Sequence, residues 1–309
     1  MILEPISQKK LYGLENYFNE LKAFYIKDKL PNKILLSGQK GLGKSTFAYH
    51  FINYVLSYKE EYAYDISKFE INENNKSYKL TLNKTNPNLS LLDVNTEKKS
   101  IDINQIRSLI ANLNKSSFNS KPRFVLIDNI EFLNINAINA LLKTLEEPSQ
   151  NIFFILINNN KKILPTLSSR CLNFKISIDN LSSLKIANLL LDNKMDKIIN
   201  NDLINYYNTP GNIYNLVRFS EENKYDLSNV NLKELLRVLI EKKHYKKNNY
   251  IKFMTLDFIE YYFQKISTNF SSSFFNKYSY YIKRISDTKR FNLDEDSLFT
   301  EFENELLNG

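Results

Sequence analysis

The 309-residue sequence contains little cysteine, glycine or proline, and the shortage of cysteine in particular excludes several kinds of structural site. A single cysteine, Cys171, cannot build a disulfide framework or a four-cysteine zinc module, so we expect no zinc and a reducing compartment. No apolar run approaches membrane-spanning length, and the first residues lack a basic segment followed by an apolar core. We therefore expect a cytoplasmic protein without a membrane partner.

The composition is otherwise that of a globular protein with more than one domain. Hydrophobic residues make up 43% of the chain and charged residues 25%, which argues against wholesale disorder. The formal net charge of +8 is compatible with a nucleic-acid partner. A sequence rich in Lys, Asn and Ile throughout would give the same balance, so the charge alone identifies no partner.

Three of the six glycines lie in one stretch, Ser37 to Thr46, which reads SGQKGLGKST. It matches the phosphate-loop pattern G-x-x-x-x-G-K-S/T, and it stands between a strand-like apolar run and residues with helical apolar spacing. In that order the loop amides and the positive end of the helix dipole face a phosphate, and the serine hydroxyl can ligate magnesium. The alternative is a glycine turn before an ordinary helix. The candidate nucleotide-binding residues are Gly38, Gly41, Gly43, Lys44, Ser45 and Thr46.

Strand-like and helix-like segments alternate from residue 34 to about residue 178, which predicts a parallel sheet wrapped by helices. An apolar run ends in Asp128, at the edge where such sheets bind ligands. Alone, this residue would be a turn residue; beside a phosphate loop, it is predicted to share magnesium with Ser45. A polar insert contains residues 78–82, which alternate like an edge strand. After Gly211 the chain has no proline and only a terminal glycine, which predicts helices.

Two segments beyond Asp128 carry a resemblance to a known family. Residues 136–148 read NAINALLKTLEEP and residues 164–171 read LPTLSSRC. With the phosphate loop, they resemble the clamp-loader branch of the AAA+ ATPases, and within it the delta-prime-type subunits of bacterial DNA polymerase III, from residue 5 to about residue 220. The resemblance implies a hetero-pentameric ring with delta and gamma/tau subunits, which loads a sliding clamp onto primed DNA for the polymerase holoenzyme. The domains it implies are an AAA+ core at 1–178, a helical lid at 179–225 and a helical collar at 226–309.

The resemblance also assigns roles to single residues. Arg170 matches the arginine of the family's Ser-Arg-Cys motif, which implies an arginine finger offered to ATP in a neighbouring subunit. Asn158 matches a nucleotide-sensing position at the end of a strand. Asn129 stands where hydrolysing members carry a glutamate, and Tyr214 stands where motor subunits carry a phosphate-sensing arginine. An amide cannot accept a proton from water, so general-base assistance to the attacking water is lost unless Glu131 provides it.

We favour a subunit that binds ATP or ADP with magnesium, hydrolyses ATP poorly and donates Arg170 to a neighbour. The alternative is a catalytically active AAA+ ATPase, either a clamp-loader motor subunit or another remodelling enzyme. A P-loop kinase is more distant, since it would need a second substrate pocket. The basic run at residues 242–247, with interleaved aromatic residues, is either a DNA contact or a solvated helix face.

Overall fold

A five-stranded parallel sheet forms the core of the N-terminal part of the chain. The computed structural model describes residues 4–94, 100–114, 119–146, 151–205, 208–246, 249–266, 272–291 and 293–307. The strands of the sheet are β1 Lys33–Ser37, β2 Leu89–Leu92, β3 Arg123–Ile127, β4 Ile152–Asn158 and β5 Leu172–Lys175. They pair in the order β2-β3-β4-β1-β5, with every pair parallel. The predicted parallel α/β core is confirmed.

Helices cover both faces of this sheet. The helices of the first part of the chain are α1 Glu15–Ile26, α2 Lys44–Leu56, α3 Lys76–Leu82, α4 Ile103–Leu113, α5 Ile135–Glu146, α6 Pro165–Ser168 and α7 Asn180–Leu190. Phe124 and Leu126 of β3 enter the apolar layer that contains α1 and α2. Val125 and Ile127 enter the opposite layer, with α4 and α5. Burial on both faces explains why this strand reads as an uninterrupted apolar run.

Helix α5 begins at Ile135, directly after an asparagine that caps it. Asn134 Oδ1 accepts a hydrogen bond from the Ala137 N–H at 2.8 Å, which satisfies one of the unpaired donors of the first turn. At the other end of the helix, Leu145 is buried and its carbonyl accepts a hydrogen bond from Lys33 Nζ at 2.9 Å. Pro148, which a sequence pattern would favour as the residue that ends this helix, lies outside the described residues.

Residues 76–82 form helix α3, so the edge strand predicted in this segment is wrong. Asn75 caps the helix, since its Oδ1 accepts a hydrogen bond from the Tyr78 N–H at 2.7 Å, and Tyr78 itself is buried. The insert is tied to the sheet domain by an ion pair of 2.8 Å between Glu60 and Lys121. A local cap and one buried ring outweigh a period-two pattern of only five residues.

The chain divides into two compact units. The first comprises Met1–Asn193 and Asn208–Arg218, and the second comprises Lys194–Tyr207 and Phe219–Gly309. The remaining helices are α8 Met195–Ile198, α9 Pro210–Asn223, α10 Leu232–Glu241, α11 Asn249–Ile266, α12 Ser272–Phe291 and α13 Glu295–Phe302. The division into core, lid and collar at residues 178 and 225 stays a prediction.

The second unit is helical in the part that the structure describes, which confirms the helices predicted beyond Gly211. Three aromatic side chains pack at its centre, with ring centroids between 5.4 and 5.8 Å apart: Phe263, Tyr281 and Phe302. Among the described helices, none has both the length and the apolar character that crossing a membrane requires.

Candidate nucleotide site and exposed arginine

The glycine-rich loop connects β1 to α2, as the sequence predicts. Gly41 and Gly43 have φ values of 88° and 81°, in the left-handed region that glycine adopts without strain. Gly43 caps α2, and Thr46 lies half-buried in its first turn. The first amides of a helix have no intrahelical acceptor, and the helix dipole makes this end positive. The loop and helix therefore form a site suited to an anion.

Lys44 is the buried cation of this loop, with only 3% of its surface exposed. Its Nζ donates hydrogen bonds to Gly38 O at 2.9 Å, to Gln39 O at 2.6 Å and to Asn159 Oδ1 at 3.0 Å. Burial lowers the pKa of Lys44 to about 8, and the carboxylate of Asp128 partly opposes this shift. The ammonium thus lies among neutral acceptors, which phosphate oxygens could replace.

Ser45 and Asp128 meet at the carboxyl edge of the sheet. The Ser45 hydroxyl donates a hydrogen bond to Asp128 Oδ2, and Asp128 directly follows β3. Burial raises the pKa of the Asp128 carboxyl, while the hydrogen bonds from Ser45 and from the Asn129 N–H oppose this change. The structure therefore brings together the hydroxyl and the carboxylate that the sequence predicts as magnesium ligands, and oxygen donors of this kind suit that ion.

Asn129 occupies the position after Asp128 with a φ of 54°, in the left-handed region that asparagine tolerates. Its Nδ2 donates to Asp93 Oδ1 at 2.7 Å, and its Oδ1 accepts a hydrogen bond from Asn159 Nδ2 at 2.7 Å. Both ends of the amide are therefore engaged. An amide in this position does not take a proton from water.

Asn159 is a site residue that the sequence reasoning missed. Besides contacting Lys44 and Asn129, its Nδ2 donates to Glu131 Oε1 at 3.0 Å and its backbone N–H donates to Glu131 Oε2 at 3.3 Å. The predicted sensor Asn158 is buried, but its side chain closes a turn through hydrogen bonds of 2.9 and 3.2 Å with the Lys161 backbone. The run of three asparagines at the end of β4 was the available signal, but it did not indicate which amide faces the lysine.

The start of α9 packs on the phosphate loop within the first unit. Thr209 Oγ1 donates a hydrogen bond to Lys40 O at 2.9 Å, and the Gly211 N–H donates one to Gly41 O at 3.0 Å. A Cβ at Gly211 would lie 2.8 Å from the Gly41 Cα, so a glycine is required for this approach. Tyr214, at the predicted lid position, follows on the same helix.

Arg170 lies at the amino-terminal ends of the parallel strands, opposite the carboxyl-terminal ends that carry the phosphate loop. It precedes β5, whereas the phosphate loop follows β1, and these two strands pair in parallel. Its guanidinium donates to Thr166 O at 2.8 Å and to Glu146 Oε1 at 2.8 Å, and its side chain is 35% exposed. In the described part of the chain, the Arg170 guanidinium makes no hydrogen bond to Asp128.

The basic run in the second unit does not present its aromatic residues to solvent. His244 and Tyr245 are buried, Lys242 Nζ lies 4.9 Å from the Tyr225 ring centroid, and Lys246 pairs with Asp296. The last residue of the run, at 247, lies outside the described residues. These contacts favour the interpretation as a structural, solvated surface over a stacking platform for bases.

The chain is similar in sequence to subunits of DNA polymerase III. The family described as DNA polymerase III, delta subunit, matches residues 13–180. The delta-prime subunit of DNA polymerase III from Pseudomonas aeruginosa is 32% identical over 138 residues, which cover 44% of this chain and 40% of the relative. The gamma subunit from Buchnera aphidicola subsp. Schizaphis graminum is 29% identical over 187 residues, which cover 60% of this chain and 48% of the relative.

The chain thus spans less than half the length of these two relatives. A solved structure of a DNA polymerase III gamma-subunit-related protein from Thermotoga maritima aligns with 94% of this chain and 92% of its own, with 17% identity and a TM-score of 0.40.

Proposed function

This chain belongs to the DNA polymerase III delta-subunit family, and on that premise we propose that it acts as a delta-prime-type subunit of a clamp loader. In this proposal it joins delta and gamma/tau subunits in a hetero-pentameric ring that places a sliding clamp on primed DNA. It binds ATP or ADP with magnesium, hydrolyses ATP poorly, and offers Arg170 to nucleotide held by an adjacent subunit.

The observation that carries the proposal is the separation of Arg170 from the chain's own phosphate loop. The loop follows the five residues of β1 and Arg170 precedes the neighbouring strand β5. Five strand residues at about 3.3 Å each separate the two edges by roughly 16 Å. Arg170 is therefore remote from the loop of its own chain, while its partial exposure leaves it open to another subunit. A guanidinium is permanently charged and binds phosphate oxygens through a planar fork, which suits this role.

The binding half of the proposal rests on the loop. Lys44 would exchange the carbonyls of Gly38 and Gln39 for phosphate oxygens, which are stronger acceptors for an ammonium group. Ser45 and Asp128 would hold a magnesium ion, which when bound neutralises phosphate charge. Gly41 and Gly43 hold the loop in left-handed backbone conformations, in which neighbouring amides can point towards an anion.

Poor hydrolysis follows from the contacts of Asn129. A water molecule that attacks a phosphate is helped by a group that orients it and accepts its proton. The Asn129 amide donates to Asp93 and accepts from Asn159, and it provides no carboxylate that could take a proton at this point. We expect the chain to retain bound ATP for many turnover times of a working motor subunit.

Two measurements test the proposal. The first is nucleotide binding by the full chain and by Lys44→Met, together with single-turnover hydrolysis of the bound ATP. The second is ATP turnover by the assembled complex with the wild-type chain, with Arg170→Ala, and with Lys175→Ala as a matched loss of one exposed cation near the other end of β5. Loss of turnover with Arg170→Ala alone supports the role in trans, and unchanged turnover overturns it.

One observation favours the alternative of an active ATPase. The negative charge of Glu131 favours a higher pKa of Lys44, which places the carboxylate near this lysine. Asn159 donates a hydrogen bond to Glu131 and also contacts Lys44. Glu131 could then accept a proton from water in place of the residue at 129. Single-turnover hydrolysis at the rate of a motor subunit, abolished by Glu131→Gln, would favour this alternative.

A further inference from the structure

Glu146 is the intramolecular partner of Arg170. The two side chains form an ion pair of 2.8 Å between Arg170 Nη2 and Glu146 Oε1. The carboxylate side chain is 54% exposed and the arginine side chain is 35% exposed. The other terminal nitrogen of the guanidinium donates to Thr166 O, a backbone carbonyl of α6. One part of the fork is thus fixed by the main chain, and another is held by an exposed carboxylate.

Glu146 is the last described residue of α5. Towards the C-terminal side of a helix the dipole favours a cation over a carboxylate, so the dipole does not stabilise the charge of Glu146. Lys143 in the last turn and Lys33, which donates to Leu145 O, already supply positive charge at this end. The carboxylate of Glu146 therefore gains little from the helix, whereas it accepts a charge-assisted hydrogen bond from Arg170.

We propose that Glu146 is an exchangeable counter-ion for Arg170, which holds the guanidinium extended in the free subunit and competes with the phosphate of a neighbouring subunit's nucleotide. This inference rests on the role in trans proposed above. A carboxylate oxygen and a phosphate oxygen are acceptors of the same kind for a guanidinium nitrogen. Glu146 must release that nitrogen before a phosphate oxygen can take it, and a retained carboxylate would also repel the phosphate.

The exposure of the pair sets the size of the expected effect. Exposed ion pairs stabilise proteins weakly, so the competition should be worth about 1.5- to 5-fold in an equilibrium constant. Such a contact is strong enough to orient a long side chain, yet it exchanges readily for a polyphosphate with several charges. A buried ion pair would instead resist exchange.

A double-mutant cycle on the assembled complex tests the proposal. Complexes are prepared with the wild-type full chain, Glu146→Gln, Arg170→Ala and the double variant, and kcat and KM for ATP are measured for each. Glu146→Gln removes the charge while keeping the shape of the side chain. We expect it to raise kcat/KM about 1.5- to 5-fold at low salt, with a smaller rise at high salt. Glu20→Gln, an exposed residue of α1, is the matched control and should leave kcat/KM unchanged.

The outcomes separate the two proposals. If Arg170→Ala leaves turnover unchanged, the role in trans fails, and the role of Glu146 fails with it. If Arg170→Ala lowers turnover but Glu146→Gln leaves kcat/KM unchanged or lowers it, only the competing counter-ion is wrong. An equal rise from Glu146→Gln in the Arg170→Ala background would also overturn it, because the effect would not pass through the guanidinium. A rise seen only when Arg170 is present supports the inference.

Discussion

The buried ammonium of Lys44 predicts that nucleotide affinity falls as the pH rises above about 8. Burial lowers the pKa of Lys44 from 10.5 to about 8 in the free chain. A bound polyphosphate favours the charged form, so the pKa in the complex is higher than in the free chain. Affinity is therefore level below the pKa of the free chain and decreases above it, because binding must then recover a proton.

The size of this effect follows from the same pKa. With a pKa of about 8, the lysine is about 90% protonated at pH 7 and about 10% protonated at pH 9. The affinity for ADP should accordingly fall about tenfold between these values, which is about 1.4 kcal/mol. The phosphates of ADP contribute little of this change, since the second pKa of a phosphate monoester is about 6.

Isothermal titration of the full chain with ADP and magnesium at pH 7, 8 and 9 measures this dependence. Lys44→Arg keeps a charge that does not titrate in this range, so the affinity of this variant for ADP should not change with pH. Lys27→Met, which removes an exposed cation outside the phosphate loop, should retain the wild-type slope. Equal wild-type affinities at pH 7 and pH 9 would refute the reasoning, and so would an unchanged slope in Lys44→Arg.

Two further predictions concern packing. Phe18→Ala should lower the free energy of unfolding by about 3–5 kcal/mol in urea denaturation, because it removes a fully buried ring at the centre of the first apolar layer; a loss below about 1 kcal/mol would contradict this packing. Gly41→Ala should abolish ADP binding while circular dichroism stays near wild type, because its φ is 88° and the new Cβ would lie 2.2 Å from Thr209 Oγ1. Wild-type ADP affinity in Gly41→Ala would show that the loop tolerates a side chain there.

The sheet and the phosphate loop could be predicted because their signals are contiguous in the sequence. An uninterrupted apolar run such as residues 123–127 reflects burial on both faces, and the glycines of the loop lie within six residues of one another. Asp128 could be paired with Ser45 because parallel strands bring their carboxyl ends to one edge. These inferences need only local pattern and the geometry of parallel sheets.

Other features depend on contacts that no local pattern indicates. The segment at residues 78–82 alternates like a strand, but the cap at Asn75 makes it helical. Asn159 contacts Lys44 across 115 positions of sequence, and a difference of one residue separates it from the predicted Asn158. Glu146 meets Arg170 only because the fold brings α5 close to the segment that follows α6.

The left-handed backbone at Asn129 and its contact with Asp93 restrict which side chains can stand at this position. A glutamate there would adopt a φ of 54° less readily than asparagine, and it would replace a donor to Asp93 with a second negative charge. A glutamate at 129 would thus be accommodated more readily together with a change at Asp93 that removes this carboxylate. The two positions form a coupled pair, so a substitution at either one alters the cost of a substitution at the other.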